Sequence, residues 1–156
     1  MSKLLKLSNC DKYTIVDEED YKELSKNKWR LGKNGYVSTG HQNQKGFFYI
    51  HRWLLNIVDR KIQVDHINYD TLDNRRNNLI ICTNQQNTFH TRKRKNCSSK
   101  YKGVYYDKER NKWGVQIRFN NKVFCIGRFI DEKEAAGEYN KKAIELFGEF
   151  AYLNVI

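Results

Sequence analysis

Apolar positions in the first half of the chain come in short bursts cut by glycine and asparagine, a pattern of strands and turns rather than long helices. Tyr13–Val16 predicts a strand, and Asp17 stands where it can cap a short acidic helix reaching about Ser25. Lys28–Leu31, Tyr36–Thr39 and Phe47–Ile50 are aromatic or β-branched runs divided by Gly32, Gly35, Gly40 and Gly46, which predicts a meander. His51-Arg52-Trp53-Leu54-Leu55 opens a short helix, and Trp29, Trp53, Leu54 and Leu79 are assigned to a core. Gln63–His66 and Asn78–Cys82 read as two strands around a polar loop. Thr83 then starts a helix, with Gln86 three residues on as its capping-box partner.

The last third has a different rhythm. Lys102–Tyr106, Lys112–Phe119 and Lys122–Phe129 predict three strands, with Asn120-Asn121 as a tight turn between the last two. Asp131 and Glu134 cap a helix that runs to about Phe147 and stops at Gly148. Its Ala136, Tyr139/Asn140, Ala143 and Phe147 line one face, so a three-stranded sheet with one helix across it is expected.

At 156 residues there is room for one ordinary domain or two small ones. The net charge is +11, and it is uneven. Residues 1–90 hold 14 basic and 10 acidic side chains, residues 91–102 six basic and no acidic ones, and residues 103–156 nine basic and eight acidic. Over half of the excess thus lies in one twelve-residue stretch, the pattern of a linker that meets phosphates, although a lysine-rich surface also serves solubility. No amphipathic basic helix accompanies it, which argues against a membrane partner. Cys10, Cys82, Cys97 and Cys125 form no Cys-x-x-Cys pair, so structural zinc is unsupported and reduced thiols are expected. No signal peptide or membrane-spanning apolar run is apparent, and a cytoplasmic setting is expected.

Candidate chemistry concentrates between residues 64 and 90. Asp65-His66 is followed by Asn78 twelve residues beyond the histidine and by Asn87 nine further on. This resembles the His-Asn-His (HNH) nuclease motif in the variant whose last histidine is asparagine. Val16-Asp17, Lys28-Trp29, Gly35-Tyr36 and His51-Arg52 resemble the lead-in of phage-type and intron-borne HNH endonucleases, so the likeness covers roughly residues 5–90. Phosphodiester hydrolysis needs an in-line water and charge relief on the phosphoryl and leaving oxygens. His66, largely neutral at pH 7, suits the general base. Asp65 and the amide oxygen of Asn87 are hard donors suited to a single Mg²⁺ or Mn²⁺. The resemblance gives Asn78 the task of holding the histidine's loop. Adjacent strand residues face opposite ways, so Asp65 and His66 share a site only if the strand ends or bends there.

Weaker candidates surround this set. His90 shares a helical face with Asn87 and is placed either at the metal or a phosphate, or in solvent. His51 and Arg52 are accessory candidates, Arg52 alternatively bracing the loop. One of Arg75 and Arg76 is expected on DNA and the other in solvent. His41 is a loop residue without a role.

Residues 98–154 carry a second resemblance. Gly103-Val104, Trp113, Ile117-Arg118, Gly127-Arg128-Phe129, Ala135-Ala136 and the terminal Asn154, in that order, resemble the Apetala-two (ethylene-response-factor) DNA-binding domain. That likeness implies a sheet lying in the major groove. Period-two spacing projects Gln116 and Arg118 together, opposite Val115 and Ile117. Lys112, Gln116, Arg118 and Lys122, with Arg110 at a turn and Arg92, Lys93, Arg94 and Lys95 in the basic stretch, are the expected DNA contacts. Tyr105-Tyr106-Asp107 departs from the plant pattern, which has arginines there, so base preference does not transfer.

The expected fold is α+β. A ββα-metal (His-Me finger) HNH module spans 1–91, its ββα core at about 63–91, followed by a basic linker at 92–99 and a three-stranded antiparallel sheet packed on one helix at 100–156. The expected function is metal-dependent nicking of double-stranded DNA by a monomer, with site preference from the C-terminal module. The alternatives are an inert DNA-binding regulator and an RNA-acting nuclease, the latter disfavoured because A-form RNA closes its major groove to side chains.

Overall fold

The structure is a computed structural model and describes residues 1–40, 47–91, 93 and 97–156. Its elements divide into two compact units, Met1–Asn84 and Gln85–Ile156. Both are mixed α/β, built on small antiparallel sheets.

In the first unit, β1 (Ser2–Lys6) pairs with β2 (Tyr13–Asp17), and α1 (Glu18–Leu24) follows directly. A second sheet orders β3 (Arg30–Leu31), β4 (Val37–Gly40) and β5 (Phe47–Tyr49), after which α2 (Ile50–Leu54) begins. β6 (Gln63–His66) and β7 (Leu79–Cys82) form a third, two-stranded sheet with His66 opposite Leu79. Leu5, Leu7, Val16, Leu24, Trp29, Val37, Ile50, Leu54, Val64 and Leu79 make the core. Burial of each large side chain there contributes about 1.5–3 kcal/mol. Trp29 keeps its polar edge satisfied, Nε1 donating to Leu24 O at 2.8 Å.

Three sequence expectations change here. Strand β1 was not expected, because Leu4 and Leu5 side by side show no alternation; pairing with β2 creates it, leaving Leu4 exposed and Leu5 buried. Trp53 lies only half-buried at the margin of the core. Asp17 precedes α1 but makes no side-chain cap; its Oδ2 accepts instead from the Arg76 backbone N–H at 2.7 Å, since that charge-assisted bond ties two distant segments.

In the second unit, β9 (Lys112–Phe119) lies between β8 (Val104–Asp107) and β10 (Lys122–Phe129). Asn120 and Asn121 both take left-handed φ, 49° and 62°, as a two-residue hairpin turn of matching twist requires. Asp131 caps α4 (Glu132–Phe147) by accepting from the Glu134 N–H at 2.8 Å. Ala135, Ala136, Tyr139, Ala143 and Phe147 share one buried cluster with Tyr101, Val104, Val115 and Ile117. α3 (Asn84–His90) falls almost wholly in this unit, because Phe89 packs against the same cluster. All four cysteines are free thiols. Among the described residues no helix is long and apolar enough to cross a membrane.

Candidate active site and nucleic-acid face

The polar loop between β6 and β7 is held as a rigid turn by its own asparagines and aspartates. Asn78, 7% exposed, reaches both limbs: its Oδ1 accepts from Asn68 N at 3.0 Å, and its Nδ2 donates to Asn68 Oδ1 at 2.9 Å and Asp73 O at 2.7 Å. Loop and body are tied by Asn74 N donating to Ile15 O, Ile15 N donating to Leu72 O and Thr71 Oγ1 donating to Gly35 O.

His66 sits where β6 ends. Val64 and His66 are buried and Asp65 is half-buried, as strand alternation dictates. Asp65 nevertheless returns to its neighbour, Oδ1 accepting from the His66 N–H at 2.8 Å. Immediately beyond, Tyr69 adopts φ 63° and its N–H donates to His66 O at 3.0 Å, so the strand ends in a turn. Strand termination and a folded-back carboxylate thus bring the two side chains to one region.

The imidazole is 2% exposed, and Nε2 lies 3.1 Å from Asn74 Oδ1. Asn74 Nδ2 faces two acceptors, Thr71 O at 3.1 Å and Thr14 Oγ1 at 2.9 Å, the latter having given its own hydrogen to Leu72 O. A carbonyl oxygen only accepts, so the Asn74 amide has one orientation and its oxygen must face the histidine. Nε2 therefore carries the proton and Nδ1 is the lone-pair nitrogen. Burial lowers the His66 pKa below its ordinary 6.5, opposed by the Asn74 bond and by Asp65, Asp70 and Asp73. The ring is neutral at pH 7, the state a general base requires.

An aromatic wall backs this ring. His51 stands edge-on to it, centroids 5.3 Å apart, and stacks on Tyr49 at 5.4 Å and 12°. Tyr36 closes against His51 at 5.4 Å and His66 at 6.0 Å. Burial, with His66 and Arg52 nearby, pushes His51 down to about 3, and its Nδ1 is buried without a hydrogen-bond partner.

The remaining sequence candidates separate by role. Arg52 donates to Ile62 O at 2.7 Å and Asp59 O at 2.6 Å, so it braces the segment before β6. Arg75 forks onto Asp73 at 2.8 and 2.6 Å, and Arg76 onto Asp20 at 2.8 and 2.7 Å. Carboxylates of their own unit hold both, Arg75 half-buried and Arg76 exposed. Asn87 is half-buried on α3 in the second unit. His90 ends that helix buried at 8%, not in solvent. Among the described residues no group of three or more His, Cys, Asp or Glu side chains is placed to hold a metal. A carboxylate and an amide oxygen are nonetheless hard donors whose chemistry fits a weakly held Mg²⁺ or Mn²⁺.

On the second unit, Lys112, Gln116 and Arg118 are exposed on one face of β9 while Val115 and Ile117 are buried on the other, so the first face is open and basic; Lys122 is exposed but pairs with Phe119, beside the turn and on the side of Ile117. Arg110 and Arg128 both pair with Asp107, at 3.2 and 3.1 Å. Tyr105 lies across Gly114, where any Cβ would meet its ring at 2.4 Å. Lys93 is half-buried; Arg92, Arg94, Lys95 and His41 lie outside the described residues.

Sequence reasoning missed Asn74, one asparagine among several in the loop, because nothing in the spacing marks which of them turns toward the histidine. It noted Tyr105 only as a departure from the plant pattern and did not set Tyr105 beside Arg128 on the open face. A period-two step from Gln116 reaches Gly114, whose pairing partners are Tyr105 and Arg128, so they are found only once the register is known.

Residues 56–89, which contain Asp65, His66, Asn78 and Asn87, match a family model described as HNH endonuclease. A protein from Acanthamoeba polyphaga mimivirus, named an uncharacterized HNH endonuclease, is 35% identical over 149 residues, which span 92% of this chain and 75% of that protein. The chain belongs to the HNH endonuclease family. It is accordingly a nuclease, a hydrolase, and the His66 loop is the segment on which the family match centres. No solved structure matches this HNH protein.

Proposed function

We propose that the protein is a divalent-metal-dependent endonuclease of the homing or phage-associated kind that nicks duplex DNA. A ββα-metal centre supplies the cut, and an Apetala-two-like C-terminal module supplies site preference. The observation that carries the reading is the buried, neutral His66, whose tautomer is set by Asn74. Its Nδ1 takes a proton from the attacking water as the water oxygen bonds to phosphorus and the bond to the leaving oxygen breaks. Asn78 and Asn74 keep the loop and the imidazole in place through that step. Asp65 and Asn87 would hold the ion, which when bound relieves charge on the phosphoryl and leaving oxygens. A monomer carries one such set, so single-strand nicks are its expected product.

The open sheet face supports duplex docking, with Lys112, Gln116 and Arg118 as contacts, Lys122 joining them from the turn at its edge, and Arg110 or Arg128 released from Asp107 as phosphates arrive. The basic linker at 92–99, Lys93 included, follows the backbone. Because Arg75 and Arg76 are already paired, they serve the loop first.

Supercoiled plasmid tests this directly. Wild-type protein with Mg²⁺ or Mn²⁺ yields nicked circles, EDTA abolishes them, and His66→Ala slows nicking at least about 10²-fold. Tight binding by wild type without nicking would leave a DNA-binding regulator, and preferential cutting of single-stranded RNA would move the substrate.

A further inference from the structure

α3 is seven residues long, too short to persist unaided, so what packs around it decides where Asn87 is held. Its supports within the second unit are specific. Phe89 stacks on Phe147 of α4, centroids 3.9 Å apart and planes 14° from parallel, and lies 5.8 Å from Phe119 of β9. Lys102 Nζ donates to Phe89 O at 2.7 Å and Thr91 O at 2.6 Å. Phe89 O is among the last carbonyls of the helix, which lack partners inside it, and Thr91 O follows just past its end; a cation is favourable at that pole of the helix dipole. Gln85, at the other end, bonds Asn120 in the β9–β10 turn.

Lys102 is itself clamped. Its N–H donates to Asn154 Oδ1 at 2.7 Å and its carbonyl accepts from Asn154 Nδ2 at 3.1 Å, while Asn154 exchanges two backbone bonds with the Asn140 side chain on α4. The Lys102 ammonium also lies 5.2 Å from the centroid of the Tyr152 ring. A run of bonds therefore leads from α4 through Asn154 and Lys102 to the end of α3, and a second support passes through Phe147 and Phe89.

We propose that Lys102 and Phe89 are positioning residues for Asn87, so the C-terminal module builds the metal-ligand helix as well as gripping DNA. This rests on the reading of Asn87 as a metal ligand. Weakening the hold of the second unit on α3 then lowers metal affinity while DNA affinity stands.

The test uses full-length protein in a His66→Ala background, bound to duplex DNA, with Mn²⁺ binding read by electron paramagnetic resonance. Lys102→Met keeps the stem and removes the bonds to Phe89 O in α3 and to Thr91 O just past its end. The expected result is a loss of Mn²⁺ affinity of about tenfold, with duplex affinity in EDTA unchanged. Unchanged Mn²⁺ affinity overturns the proposal. Should Lys102→Met also weaken duplex binding in EDTA, the sheet has been disturbed, and Phe89→Leu, which keeps apolar fill, decides by the same two readings. Asn87→Ala in parallel separates the two levels: if it leaves Mn²⁺ binding intact, the ligand assignment itself fails.

Discussion

Around His66, the residue with least freedom is Asn74, fully buried and using its amide for three side-chain hydrogen bonds. Asn74→Ala releases the imidazole to either tautomer and orphans the buried partners. The expected outcome is a nicking rate about 10²-fold lower at saturating DNA and a stability loss of about 2 kcal/mol, read by single-turnover kinetics and urea unfolding. His51 carries a pH signature. Its folded pKa of about 3 lies below its ordinary 6.5, so the unfolded chain takes the proton first. The stability from its neutral burial is complete above pH 6.5 and drains as pH falls toward 3, at up to about 1.4 kcal/mol per pH unit. Unfolding free energies of His51→Phe should therefore fall less steeply than wild type between about pH 7 and pH 5; parallel slopes would contradict this.

At the scale of elements, the second hairpin of the C-terminal unit and the helix after it are both set by local signals. β9 and β10 match the predicted limits residue for residue, because long period-two runs flank two asparagines able to adopt positive φ. β8 begins at Val104 rather than Lys102, and the reason is Gly103. It sits at φ +76°, its carbonyl accepts from Gln116 N at 2.9 Å, and a Cβ there would lie 2.1 Å from the Tyr139 ring and 2.8 Å from Gln116 O. Gly103→Ala should cost more than about 3 kcal/mol, combining backbone strain with a clash against the α4 face. A melting temperature for the second unit within a degree or two of wild type would refute that.

For the whole molecule, the charge of +11 sets how binding responds to salt. Each exposed lysine or arginine that meets a phosphate should remove about one unit from the slope of log affinity against log salt when it is replaced. Arg118→Ala and Lys122→Ala are expected to do so. Arg76→Ala is expected to leave the slope nearly intact and to loosen the loop, because its guanidinium already grips Asp20. Filter binding over a salt series distinguishes the two behaviours. Equal slopes for all three variants would mean the sheet face is not where phosphates are met.

Much of this protein is local chemistry written in order: hydrophobic period, turn asparagines, a capped helix and an Asp-His pair ahead of Asn78. Those signals need only neighbours in the chain, which is why the sequence alone places the second unit's strands and singles out His66 as a candidate. Other features depend on partners far along the chain, and only the folded structure decides them. β1 exists because β2 pairs with it, Asp17 leaves its helix cap to bind the Arg76 backbone, and Asn74 is chosen among its neighbours because Thr14 and Thr71 flank it. α3 joins the second unit because Phe147 and Lys102 take hold of its end. Spacing reports what a residue offers; which partner takes the offer is settled by tertiary packing.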